Sequence, residues 1–172
     1  MQNHFELFGL SPAFALDADA LERGYREMQA RVHPDRHAHS ADADRRAAMQ
    51  WATRVNEAYR TLRNPVSRGK YLLELHGVDV ALESNTAMPA EFLVQQMELR
   101  EALDEAKAAR DAAALERLGS ELRGERRALV AALAEAFDAR HDDALAAQSV
   151  RKLMFLDRVE AELREAFEAI EA

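Results

Sequence analysis

Apolar side chains recur at helical spacing on both sides of the tripeptide His33-Pro34-Asp35, and this pair of stripes constrains the fold more than any other feature of the chain. Leu21, Tyr25, Met28 and Val32 stand at i, i+4, i+7 and i+11, which gathers them on one face of a helix over residues 19–32. Downstream, Ala48, Ala52, Val55, Tyr59 and Leu62 repeat the spacing. Two facing apolar stripes joined by a polar connection predict an antiparallel helical hairpin. Pro34 disfavours the α conformation at His33 and cannot donate to a helical ladder, so the first helix is expected to end there. The connection over residues 33–40 is longer than an antiparallel turn needs, and its His and Asp side chains offer nothing to a core. A presented binding loop is the economical reading.

The rest of the chain is also expected to be helical. Ala, Leu, Glu and Arg dominate, while there are only 6 Gly and 4 Pro in 172 residues, the profile of an all-α protein. A hydrophobic content of 48% suits one or two small cores. No apolar run approaches the roughly 18 residues of a membrane span, and the N-terminus shows neither a basic leader nor an apolar h-region, so a soluble, cytoplasmic protein is expected. The absence of cysteine excludes disulfides, cysteine nucleophiles and thiolate ligation of zinc or iron–sulfur clusters.

Charge is unevenly divided. Residues 1–78 carry a net charge of +1 and residues 79–172 a net −9, within the overall −8. Nucleic-acid binding needs a basic field that releases counterions, and the second half has the opposite sign. Neither nucleic acid nor membrane is an expected partner.

Helical periodicity breaks at Gly77, Val78 and Asp79 and again at Ser84-Asn85-Thr86, before Pro89 at a suitable first helical position. This places a linker at residues 77–88 between domains at 1–76 and 89–172. Before it, Pro65 can start a further helix carrying Tyr71, Leu72 and Leu75. After it, helices over 89–109, 111–140 and 143–170 with short connections predict an antiparallel three-helix domain. The middle helix carries Leu115, Leu118, Leu122, Leu129, Leu133 and Phe137 on one side, with Gly119 and Gly124 as weak points.

The first helix of the second domain has two apolar faces. Phe92, Gln96, Leu99 and Leu103 cluster on one side; Leu93, Val94, Met97, Glu98 and Glu101 gather roughly 160° away. In the last helix, Leu153, Leu156, Leu163, Phe167 and Ile170 form a core arc, and Phe155 falls roughly 110° off its centre. Periodicity leaves two readings of the extra apolar face: a partner-binding patch rimmed by glutamates, or a face packed against the linker or the first domain.

Chemistry-bearing patterns are sparse. His33, His37 and His39 invite a metal reading, but no cysteine supports it and a solvated loop accounts for them more simply, so neither metal nor cofactor is expected. His4, His76 and His141 lack partners at ligand spacing. With no Gly-rich phosphate loop and no nucleophile elbow, no catalytic residue is assigned and no enzyme is expected. Trp51 reads as a cover for the core edge.

His33-Pro34-Asp35 between two such helices resembles the signature of the J-domain, the module of DnaJ-type co-chaperones. The supporting context is His4-Phe5-Glu6-Leu7-Phe8-Gly9-Leu10, Tyr25-Arg26 and Val55-Asn56-Glu57-Ala58-Tyr59-Arg60-Thr61-Leu62. Arg36 stands where lysine is usual, which keeps the charge and changes its geometry. The segments Lys70-Tyr71-Leu72-Leu73-Glu74-Leu75-His76-Gly77, Phe92-Leu93-Val94-Gln95-Gln96-Met97-Glu98-Leu99-Arg100-Glu101 and Arg151-Lys152-Leu153-Met154-Phe155-Leu156-Asp157 then resemble the HscB family, the J-proteins of iron–sulfur cluster biogenesis.

The resemblance implies that His33, Pro34, Asp35, Arg23, Arg26 and Arg31 engage a DnaK-class chaperone ATPase, HscA, and stimulate its ATP hydrolysis. It further implies that Leu93, Val94, Met97, Glu98, Glu101 and Phe155 bind the scaffold protein IscU. A general J-domain co-chaperone of DnaK with another client is the competing expectation.

Overall fold

The computed structural model describes residues 2–32, 42–79 and 88–171. The chain divides into two compact units, residues 1–76 and 77–172. The architecture is all-α: among the described residues there are helices and turns and no strand.

The first unit begins with a single helical turn, α1 (His4–Leu7). The Asn3 Oδ1 accepts from the Glu6 amide at 2.9 Å and the Glu6 carboxylate accepts from the Asn3 amide at 3.0 Å, a reciprocal box that satisfies donors the helix cannot. That fixed turn drives Phe5, Leu7 and Phe8 into the core. Asp17 starts α2 (Ala18–Val32) by accepting from the amides of Asp19 and Ala20.

The long α3 (Asp42–Arg63) buries Ala48, Val55, Ala58 and Leu62, and Leu21, Phe5 and Phe14 are buried in the same unit. Glu22 meets Tyr59, Tyr25 meets Asn56 and Tyr59, and Gln29 meets Asn56, so position falls along α3 as it rises along α2. The two helices are the predicted antiparallel hairpin. Asn64 caps α4 (Pro65–Leu75), accepting from the amides of Val66 and Ser67, with Pro65 at the first helical position where its missing donor costs nothing. This helix closes the unit with Val66, Leu72 and Leu73. Leu75, expected on its apolar face, is 42% exposed; Leu73 takes the inward position beside Leu72.

The second unit is an up-down-up bundle of α5 (Ala90–Ala108), α6 (Ala112–Ala134) and α7 (Asp143–Glu171). Gln95 on α5 bonds Glu125 on α6, and Arg126 on α6 pairs with Asp157 and Glu160 on α7. Leu103, Leu115, Leu122, Leu156, Val159 and Leu163 form its core, with Met88, Leu99, Leu118, Leu129, Phe167 and Ile170 packed around them. Gly119 does not break α6: a Cβ there would meet Leu163 Cδ2 at 3.1 Å, so its small size sets how near α7 can come.

Two corners turn through residues with positive φ, Arg110 at 50° and His141 at 52°. At the first, Asp111 caps α6 through the amide of Ala114. The Arg110 guanidinium donates to the carbonyls of Ala169 and Ile170 in the last turn of α7, both at 3.2 Å. Before the second corner α6 loosens into a π-helical stretch, Glu135–Arg140, which buries Ala136 and Phe137.

Candidate functional sites

The first candidate surface is the outer face of α2. Arg23, Arg26 and Arg31 are all exposed there, off the stripe that carries Leu21 inward. Arg23 lies 4.0 Å from Asp17, and the Arg26 Nε donates to Glu22 Oε1 at 3.0 Å. His33, Pro34 and Asp35, with His37 and His39, lie outside the described residues.

Behind the arginines a polar and aromatic network joins α2 to α3, and periodicity gave no sign of it. The Tyr25 and Tyr59 rings stack at 4.0 Å and 16°. The Tyr25 hydroxyl donates to Asn56 Oδ1 at 2.8 Å and accepts from Gln29 Nε2 at 2.5 Å. The Tyr59 hydroxyl donates to Glu22 Oε2 at 2.5 Å, and the Arg63 guanidinium lies 5.8 Å from the centroid of the Tyr59 ring. That hydroxyl holds the Glu22 carboxyl below its ordinary range, with burial opposing and Arg26 and Arg63 assisting. The carboxylate in turn pushes the Tyr59 phenol above its ordinary range, chiefly by accepting its hydrogen bond. The sequence holds only the i, i+4 spacing of Glu22 and Arg26 and the tyrosines within the two apolar stripes, and neither pairs residues across the hairpin.

The second candidate surface is on α5. Phe92 and Leu103 are buried and Leu99 packs against the core, while Val94 is 54% and Met97 71% exposed, with Glu98 and Glu101 exposed beside them. Leu93 is half-buried at the edge between the two faces. The two-faced reading of this helix therefore describes its burial.

Phe155 does not follow its expected placement. Rather than lying off the core, it is only 8% exposed and belongs to the core cluster. Its ring meets that of Phe92 edge-on, with the Arg100 guanidinium 5.8 Å from its centroid and the Lys152 ammonium 5.2 Å from that of Phe92. The physical reason is lateral: α5 packs beside α7, so a residue about 110° from the arc's centre still faces a neighbouring helix.

Elsewhere the chemistry is structural. His4 stacks on Tyr71 at 4.2 Å and 14°, and its amide takes the Tyr71 hydroxyl as acceptor at 3.0 Å. Trp51, expected to cover the core edge, is 40% exposed, with the Arg54 guanidinium 5.1 Å from its ring centroid. Among the described residues no group of three His, Cys, Asp or Glu could hold a metal ion, and no helix is long and apolar enough to cross a membrane.

Residues 3–71 match the DnaJ domain, and residues 88–164 match the HSCB C-terminal oligomerisation domain. The co-chaperone protein HscB homologue of Ralstonia nicotianae is 54% identical over 168 residues, 98% of this chain and 96% of the relative. The chain belongs to the HscB family. The HscB homologue of Azoarcus sp. is 50% identical over 170 residues, 99% of this chain and 96% of its own. Chaperone HscB from Vibrio cholerae superposes with a TM-score of 0.87 at 37% identity, covering 97% of this chain and 99% of that one. Human co-chaperone HscB superposes at 0.90 with 28% identity, over 96% and 82% of the two chains. HscB membership makes the protein a J-domain co-chaperone of iron–sulfur cluster biogenesis, and the J-domain implies a DnaK-class chaperone as partner.

Proposed function

We propose that the protein stimulates the ATPase of the specialised DnaK-class chaperone HscA and delivers the iron–sulfur scaffold IscU to it, acting in the cytoplasm without catalytic chemistry of its own. In this reading the J-domain at residues 1–76 docks through Arg23, Arg26 and Arg31, while His33, Pro34 and Asp35 trigger hydrolysis. The domain at residues 89–172 carries the scaffold on Leu93, Val94, Met97, Glu98 and Glu101.

One observation supports a client surface above the others: Val94 and Met97 remain exposed beside two glutamates, on a helix whose opposite face already serves the core. An exposed apolar pair with a charged rim is the usual anatomy of a partner patch. Phe155 enters this reading differently from the rest. Buried against Phe92, it shapes the surface beneath Arg100.

Joining two partners on one chain raises their effective concentration for each other, so client capture is coupled to the hydrolysis that closes the chaperone. The test is ATPase stimulation of HscA and DnaK side by side, with and without IscU. Stimulation of HscA that rises further with IscU is the expected result. Preferential stimulation of DnaK, unaffected by IscU, would replace this reading with that of a general J-domain co-chaperone.

A further inference from the structure

Among the charges of α2, the half-buried Glu22 is held from two sides. One carboxylate oxygen accepts from the Tyr59 hydroxyl of α3 at 2.5 Å and the other from Arg26 Nε at 3.0 Å. An ordinary exposed i, i+4 ion pair forms and breaks readily, because both long side chains must be ordered to hold it. Here one partner is ordered already. The Tyr59 ring is fixed by its stack on Tyr25 and by the Arg63 guanidinium, and Tyr25 is fixed in turn by Asn56 and Gln29. The hydrogen bond keeps its proton on the phenol and the charge on the carboxylate, in keeping with the opposite displacements of their acidities.

We infer that Glu22 is a positioning residue for docking: anchored by Tyr59, it keeps the Arg26 guanidinium against α2 and offsets its charge until an acidic partner surface takes the guanidinium over. The inference rests on the reading of Arg26 as a chaperone-docking group. Its physical content is a competition. A carboxylate of the chaperone must replace a carboxylate that is already in place, so a partner lacking a suitably placed acid cannot release Arg26. Glu22 thereby lowers the general attraction of this face for acidic surfaces and leaves a preference for those that match it.

The test is stopped-flow association of the full chain with purified, ATP-bound HscA at low and high salt, for wild type, Glu22→Gln, Tyr59→Phe and Arg26→Glu. Glu22→Gln keeps an amide oxygen for the Tyr59 hydroxyl and removes the charge. It should raise the association rate about two- to fivefold at low salt, and the gain should vanish as screening rises. Tyr59→Phe should give a smaller gain of the same sign. A purely structural role for Glu22 would lower the thermal midpoint of Glu22→Gln without producing a salt-dependent gain. If Arg26→Glu slows association while Glu22→Gln matches or falls below wild type, the inference is overturned and the docking reading stands. If Arg26→Glu associates as fast as wild type, both fall.

Discussion

The ring of Phe155 stands edge-on to that of Phe92, 5.7 Å between centroids and 85° between planes, and each ring has a cation near it. This pair joins α5 to α7 in the core, so Phe155 cannot be probed as a surface residue. Phe155→Ser should cost about 3–5 kcal/mol of stability, as other large-to-small aromatic changes do. Val94→Ser with Met97→Ser should leave the thermal midpoint nearly unchanged and weaken scaffold affinity by about 2–4 kcal/mol if the pair anchors the interface. Leu103→Ala, fully inside, is the stability control. Calorimetric IscU titration beside thermal unfolding decides the matter. Unaltered affinity in the double variant would remove the scaffold from this face.

Gly24 has no room for a side chain. A Cβ built there would lie 2.8 Å from the carbonyl oxygen of Phe8 and 2.9 Å from its Cβ. Alanine normally stabilises a helix interior by about 1 kcal/mol over glycine. Here Gly24→Ala should destabilise by about 1–3 kcal/mol, since the clash is largely with backbone that cannot turn aside. Urea unfolding of the pair of proteins checks it, and a stabilised variant would show that α1 is free to withdraw.

The contrast between these two sites shows what periodicity can and cannot convey. The hairpin, the helix from Pro65, the three-helix bundle and the two faces of α5 were all legible because an apolar stripe at helical spacing is a one-dimensional record of which side is buried. The placements of Phe155, Leu73 and Gly24 depend on which helix lies beside which, information that a single stripe does not hold. The Glu22–Tyr59–Tyr25–Asn56 network was illegible for the same reason, as its members are more than 30 residues apart across the hairpin. The roles proposed for the arginines and the partner proposed for the α5 patch come from motif resemblance, since an exposed arginine looks alike whether or not a partner uses it.

Asp35→Ala should abolish stimulation of HscA ATPase while helicity by circular dichroism stays at the wild-type level. The described cores on both units are assembled from other residues. A variant that stimulates hydrolysis as well as wild type does would detach the tripeptide from the function proposed for it.

His4 should make the first unit weaken in mild acid. Burial against Tyr71 holds its imidazole below the ordinary 6.5, with Arg54 adding to the effect and Glu57 and Glu74 opposing it. Because the folded value lies below the unfolded one, the unfolded chain takes up the proton first. The contribution is therefore complete above 6.5 and is lost as pH falls through the folded value. NMR titration of the imidazole in native and urea-unfolded protein should place the native midpoint lower. An equal or higher native midpoint would contradict the packing of His4 on Tyr71.

The bonds from Arg110 to the carbonyls of Ala169 and Ile170 turn the corner between α5 and α6 into a gauge for the length of α7. One residue inserted into α7 would advance its end by about 1.5 Å and rotate it by about 100°, carrying both acceptors away from the guanidinium. Substitutions along the outer side of α7 leave that register intact, whereas single-residue insertions and deletions do not. Variation in this helix should accordingly run to changes of residue type at constant length, with insertions and deletions confined to the chain on either side of it.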